Sequence, residues 1–163
     1  MSPVVVDVRL ADYRDPAHTR ALVGLLDAYA RDPAGGGKSL EPQVLAELPA
    51  ALASRPQAFS VLAYDGDQPV GLVNCIEGFS TFACKPLVNV HDVVVLESHR
   101  GQRVTQRMLA RVEQEARARG ACKLTLEVLS GNKSAIRAYE REGFANYQLD
   151  PAYGSAMFLQ KKL

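Results

Sequence analysis

Apolar positions recur along this chain with two periods, and the changes between them mark out its elements. Residues 4–10 alternate weakly and predict a first strand. Between residues 18 and 30, Leu22, Leu25, Leu26 and Tyr29 fall at helical spacing. A second helix is predicted over 42–54, with Pro42 suited to its first turn. Strands follow at 59–64 and 70–77, joined by Asp65-Gly66-Asp67-Gln68-Pro69, whose Asp-Gly is a hairpin signal. Residues 78–86 read as a loop or strand end. A nearly continuous apolar run then predicts a strand over 88–96. A long helix over 103–119 buries Val104, Met108, Leu109, Val112 and Ala116 and turns Arg103, Arg107 and Arg111 outward as a solvated row. A strand at 124–128 and a helix from Asn132 come next. Two last strands, near 145–148 and 156–160, flank a turn at 150–154. The order β-α-α-β-β-β-α-β-α-β-β describes one α/β (α+β) domain over residues 1–163, long enough for a full core.

The helix from Asn132 carries chemistry. Asn132 suits its N-cap and Gly143 its left-handed stop. Spacings of four and three put Asn132, Ile136 and Tyr139 on one face, so an amide and a phenol line what would otherwise be plain core. Upstream, Arg100-Gly101-Gln102-Arg103-Val104-Thr105 lies between a strand and the start of a helix. Free N–H groups and the positive end of the helix dipole make such a place suitable for a phosphate. In strict alternation along 88–96, residues 89, 91, 93 and 95 share one face and 88, 90, 92, 94 and 96 the other. Asn89 and His91 open the first face, and Asp92 interrupts the second.

An N-x-x-A-x-x-x-Y-x-x-x-G-F helix after a strand such as Leu124-Thr125-Leu126-Glu127-Val128 resembles the closing half of the GNAT N-acetyltransferase superfamily. The strand–loop–helix at 88–119 resembles its phosphate-binding part, where the family carries R/Q-x-x-G-x-G/A. Arg103 stands where the middle glycine belongs, and Thr105 where Gly or Ala belongs. Arginine keeps its N–H donor. If the position needs positive φ, the strain is about 1–2 kcal/mol, which phosphate contacts of the side chain offset in part. The resemblance covers most of the chain and is specific from about residue 88 to 144. It implies a GNAT fold: a mixed, mostly antiparallel central sheet of six to seven strands with helices on both faces.

The resemblance further implies acetyl-coenzyme A as cosubstrate and direct N-acetylation of a primary amine. Cofactor contacts would come from the backbone of Val93, Val94 and Val95, from Arg100, Gly101, Gln102, Arg103, Val104 and Thr105, and from Asn132 and Tyr139. Tyr139 would protonate the departing thiolate. His91 falls where diamine-acetylating members carry a glutamate beside an aspartate, and imidazole suits a base at neutral pH. Either His91 and Asp92 form the base, or His91 is a hydrogen-bonded structural residue and Asp92 caps a bulge. Glu77, Phe79, Phe82 and Asn89 either border the acceptor entrance or belong to core and rim. The acceptor is a small-molecule amine or a protein or peptide amine. A homodimer, common in the family, would use the apolar Ala156-Met157-Phe158-Leu159 run as its seam. A silent acyl-coenzyme-A-binding module is the rival reading, favoured by the altered loop and opposed by the intact Asn132 and Tyr139.

Composition changes this picture little. Apolar content is 47%, charged content 23% and net charge +1. That balance offers no broad basic field for nucleic acid. Asp7, Arg9, Asp12 and Arg14 interrupt the N-terminal apolar residues, so no signal peptide is expected. No apolar run approaches membrane-spanning length. Cys75, Cys84 and Cys122 form neither a disulfide framework nor a C-x-x-C pair, and His18, His91 and His99 lack metal-ligand spacing. A reduced cytoplasmic protein without metal is expected. Gly35-Gly36-Gly37-Lys38-Ser39 ends like a P-loop, but Asp32 stands where its first glycine belongs and a helix precedes it, so it reads as a helix–helix loop bordering the acceptor.

Overall fold

In the computed structural model, residues 5–163 are described, and the chain divides into two compact units, residues 1–126 and 127–163. The first contains β1 (Asp7–Leu10), α1 (Pro16–Arg31), α2 (Pro42–Ala53), β2 (Ala58–Asp65), β3 (Gln68–Ser80), β4 (Lys85–Val95), α3 (Val104–Ala118) and β5 (Leu124–Leu126). The second contains α4 (Lys133–Arg141) and a short 3-10 turn at Pro151–Tyr153. The expected first strand begins at residue 4, which lies outside the described residues.

One sheet runs β1-β2-β3-β4-β5. Its first four strands form an antiparallel meander, and β5 returns parallel to β4 after the α3 crossover, as a parallel pair requires. Local chemistry sets the element ends. The Asp15 carboxylate accepts from the Ala17 N–H at 2.8 Å, with Pro16 opening α1. Asp65 pairs with Gln68 around Gly66, whose φ of +57° suits the tight hairpin.

Leu62, Leu72 and Val94 lie side by side on β2, β3 and β4 and pack against Leu22 and Leu25 of α1, with Leu48 and Leu52 of α2 on the same cluster. Burying each leucine contributes roughly 1.5–3 kcal/mol. The opposite face receives α3 through Met108, Val112 and Ala116. A Cβ on Gly71 would lie 2.9 Å from Met108 Sδ and 3.2 Å from Ala63 Cβ, so α3 approaches β3 this closely only over a glycine. Helices therefore cover both faces, as expected.

The strand count differs from expectation: five strands are present among the described residues, where six to seven were expected. Residues 145–148 and 156–160 form no strand. A strand is defined by its ladder, and an apolar run supplies no partner by itself. Here Met157, Phe158 and Leu159 stay 72–81% exposed. Most of the expected loop or strand end at 78–86 is strand: β3 continues to Ser80 and β4 starts at Lys85, closing a hairpin over residues 81–84. Conversely β5 stops at Leu126, two residues short of expectation.

Candidate active site

A bulge in β4 organises the site. Opposite β3, Val93 pairs with Val73, Asp92 with Asn74, and then Val90 with Cys75. His91 is the extra residue, and the side-chain alternation changes phase across it. The strict alternation expected for 88–96 is thus corrected. Asn89 pairs with Ile76 and Asp92 with Asn74, so both share the Leu72 face, on which α1 packs. Val90, beside Cys75, joins Val93 on the α3 face. His91 Nδ1 is hydrogen-bonded to Asn89 Oδ1, which brings its ring to the Asn89 side. Asn89, His91 and Asp92 therefore meet on one face instead of being divided between two.

The hydrogen bonds around Asn89 select the histidine tautomer. Asn89 Nδ2 donates to Thr125 Oγ1 of β5 at 2.9 Å. The same Nδ2 lies 3.5 Å from the Thr125 C=O, which only accepts, so Oδ1 is the atom facing His91 and Nδ1 is the donor in that contact. In neutral imidazole the lone pair then resides on Nε2. His91 is exposed and Asp92 is half-buried. Asp92 Oδ2 accepts from Asn74 Nδ2 at 3.1 Å.

The main chain beside these groups is open. The β4–β5 ladder ends at Val90–Leu126, and among the described residues no strand pairs with that edge of β4 over 91–95. Leu96 N–H donates to Val70 C=O at 2.9 Å, so the groups of Leu96 and Val94 point toward β3 and those of Val93 and Val95 toward the open edge. Val95 C=O accepts from Arg100 Nε at 3.2 Å. Of the three valines, Val93 presents its N–H and C=O, Val95 presents its N–H, and the main chain of Val94 belongs to the β3 ladder.

A 3-10 turn at Glu97–His99 leads into residues 100–105. His99 is buried between Ser98 Oγ, 2.8 Å from its Nδ1, and Asp65 Oδ2, 3.1 Å from its Nε2. Arg100 also reaches Asp32 Oδ2 at 3.3 Å, tying the loop to the end of α1. Hydrogen bonds from the Ala34 N–H and then from Arg100 hold the Asp32 carboxyl below its usual range. Gln102 Nε2 donates to Ser98 C=O at 3.0 Å, while its buried Oε1 has no partner among the described residues. Arg103 is the N-cap of α3 in the left-handed conformation, φ 62° and ψ 21°, and no side chain caps that end. The position does demand positive φ, and the first N–H groups of α3, from Val104 and Thr105 onward, have no side-chain acceptor there.

The remaining expected residues are more scattered. Glu77 is ion-paired with Arg119 at 3.1 Å, at the far end of α3. Phe79 is 59% exposed on β3 and Phe82 is 95% exposed in the hairpin turn. The Gly35–Ser39 stretch is laced to α1: Asp27 accepts from Ser39 Oγ at 2.7 Å and from the Leu40 N–H at 2.9 Å, and these bonds hold its carboxyl below the usual range. In the second unit, Asn132 Oδ1 accepts from the Ala135 N–H at 3.1 Å and caps α4. Gly143 stops that helix at φ +88°. Half-buried Tyr139 meets Phe144 edge-on, with ring centroids 6.0 Å apart. Sequence reasoning missed Thr125 as a partner of Asn89, and Tyr13, Ser60 and Asn74 as a polar row leading to Asp92. The only signal was two polar residues, Ser60 and Asn74, inside otherwise apolar strands.

Such a sheet, with an open edge of β4 beside a helix start that lacks a side-chain cap, offers main-chain groups suited to an amide- and phosphate-bearing ligand. The chain belongs to the GNAT family of acetyltransferases, whose pattern matches residues 20–144 and so spans both units. Streptothricin acetyltransferase of Streptomyces lavendulae is 33% identical over 99 residues, 59% of this chain and 48% of that protein, so the match extends over about half the length of this relative. A probable acetyltransferase crystal structure superposes with a TM-score of 0.80 at 22% identity, covering 96% of this chain and 98% of the other. AAC(6')-Iy, in complex with the bisubstrate analogue CoA-S-monomethyl-acetylneamine, superposes with a TM-score of 0.76 at 15% identity, covering 98% and 99%. These structures share the fold. No helix among the described residues is long and apolar enough to cross a membrane.

Proposed function

We propose that the protein transfers an acetyl group from acetyl-coenzyme A to a primary amine of a small, cationic molecule in the cytoplasm. The observation that carries this reading is the β4 bulge, which gathers Asn89, His91 and Asp92 next to an unpaired main-chain edge. Family membership supports the cosubstrate, and the streptothricin acetyltransferase match supports a small-molecule acceptor over a protein or peptide amine.

The residues present fit acetyl-coenzyme A. Val93 and Val95 offer an edge to which an amide-bearing chain adds as a strand would. The N–H groups at 103–105 and the dipole of α3 suit phosphate, with the Arg103 side chain beside them. Bound there, acetyl-coenzyme A supplies an activated acetyl thioester. Asp92 holds the acceptor as its ammonium ion. His91 Nε2 takes the proton that must leave before nitrogen can attack. Val93 N–H donates to the acyl oxygen, a kind of contact worth about 3–4 kcal/mol in characterised acyl-transfer enzymes. Tyr139 gives the proton that the thiolate requires, as the resemblance of its helix implies, and Asn132 fixes the start of that helix. Glu77, ion-paired with Arg119, and the exposed Phe79 and Phe82 are left outside this constellation.

Release of free thiol from acetyl-coenzyme A across a panel of aminoglycosides, diamines, amino acids and lysine peptides tests the proposal. Turnover on a small polycationic amine, lost in His91→Gln, is the expected result. Binding of acetyl-coenzyme A without turnover on any amine would favour the silent module, the reading that a strained non-glycine residue at 103 supports.

A further inference from the structure

We infer that Tyr13, Ser60 and Asn74 are positioning residues that fix the Asp92 carboxylate for the acceptor amine, an inference that rests on the function proposed above. Ser60 on β2, Asn74 on β3 and Asp92 on β4 are directly paired neighbours, so their side chains form a row across three strands on the α1 face. The distances close the row. Tyr13 Oη lies 2.8 Å from Ser60 Oγ, Ser60 Oγ lies 2.6 Å from Asn74 Oδ1, and Asn74 Nδ2 lies 3.1 Å from Asp92 Oδ2.

Donor counting gives the row one direction. A carboxylate only accepts, so Asn74 turns its NH2 to Asp92 and its carbonyl oxygen to Ser60. Ser60 has a single proton, and it goes to that oxygen. Tyr13 is left as the donor to Ser60. Burial pushes the Tyr13 phenol up, which keeps it protonated and able to donate. Every hydrogen bond therefore points toward Asp92, and each one polarises the next. The amide in the middle relays no proton, so the row orients and does not conduct. Asp92 Oδ2 is held, and Oδ1 is left for the acceptor's ammonium group.

Packing gives no reason for this row. Its neighbours Val61, Leu62, Leu72 and Val73 are fully buried, as are Ser60 and Asn74 nearly so. Two more aliphatic side chains would fill the same layer without polar groups to satisfy. The row's one distinguishing feature is its end point, a half-buried carboxylate beside the bulge.

Two measurements test this. In the intact protein, the Asn74 side-chain amide protons, followed by nuclear magnetic resonance, should exchange slowly and shift in Asp92→Asn. Fast exchange and no shift would overturn the row whether or not the protein is an enzyme. In turnover assays, Asn74→Ala should lower kcat about tenfold or more, the usual effect of losing a hydrogen bond to a charged group, with KM for acetyl-coenzyme A unchanged. Tyr13→Phe, a milder change should Asn74→Ala fail to fold, should lower kcat about two- to fivefold. Both effects should vanish in an Asp92→Asn background, a non-additivity that a merely structural role would not produce. Losses that persist undiminished in Asp92→Asn would overturn the inference. If no amine is acetylated, the proposed function fails and the resonance measurement still decides the row.

Discussion

Replacing Arg103 with glycine separates backbone strain from phosphate binding in the loop at 100–105. Arg103 sits at φ 62° and ψ 21° and makes no side-chain cap for α3. The left-handed region carries about 1–2 kcal/mol of strain for a residue with a Cβ. Glycine removes that strain but loses about 0.5–1 kcal/mol through the freedom of the unfolded chain. The net expectation is a gain of about 1 kcal/mol in the ligand-free protein, or roughly 2–4 °C in melting temperature for a chain of this size. Affinity for acetyl-coenzyme A should change less than about tenfold, or 1.4 kcal/mol, because a better-seated loop and a lost guanidinium act in opposite directions. Urea denaturation gives the first quantity and calorimetric titration the second. A less stable variant would refute the strain argument. Binding a hundredfold tighter would show that the natural loop is a poor phosphate site and would favour the silent module.

Four other expectations are open to direct measurement. Acetyl-coenzyme A at about 100 times its Kd should stabilise the fold by about 2.7 kcal/mol; no melting shift at millimolar concentration would remove it as cosubstrate. Tyr139→Phe should leave its binding intact and lower kcat by about 10²–10⁴-fold, and an unchanged kcat would take Tyr139 out of the reaction. Burial pushes the Cys75 thiol from 9.0 up to about 12; a raised folded-state value stabilises fully below the unfolded one, so this contribution is present below pH 9 and declines toward pH 12. Urea denaturation between about pH 8 and 10.5 should accordingly show a steeper alkaline loss in the wild type than in Cys75→Ala. The protein should be a homodimer through its exposed Met157, Phe158 and Leu159, and a monomeric mass by light scattering at tens of micromolar would refute that.

Local elements were legible in the sequence, and non-local pairing was not. The apolar stripe and the cap signals located α3 within a residue of Val104–Ala118, because helical periodicity is a property of one segment. Asn132 and Gly143 marked α4 for the same reason. Strands fared unevenly, since each depends on a partner distant in sequence: β3 proved longer than its hydrophobic run, and residues 156–160 found no ladder at all. Within the candidate site, His91, Asp92 and the valines stood out as residue types, but the face each occupies depends on a register that no single strand encodes. The side chains bonded around them come from other segments: Thr125 holds Asn89, Asn74 holds Asp92, and Ser60 and Tyr13 follow behind Asn74.

The bulge has two effects that a regular strand could not combine. On the N-terminal side of His91, Val88 donates its N–H to Lys123 C=O at 3.1 Å, so even-numbered residues there point their main chain at β5. Continued without a bulge, the same parity would aim Asp92 and Val94 at the open edge and turn Val93 and Val95 into the β3 ladder. Leu96, bonded to Val70, shows the opposite phase beyond the bulge. The extra residue therefore presents Val93 and Val95 at the edge where β5 has ended. It also changes the side-chain phase, which places Asp92 on the face of Asn89 with His91 between them. Open main-chain groups, and a carboxylate and an imidazole on one face, thus arise from one inserted position. A bulge leaves a ladder position unpaired and weakens the strand locally. That it lies where β4 parts from β5, and not at a sheet corner, is a structural argument for reading this stretch of β4 as the reaction centre.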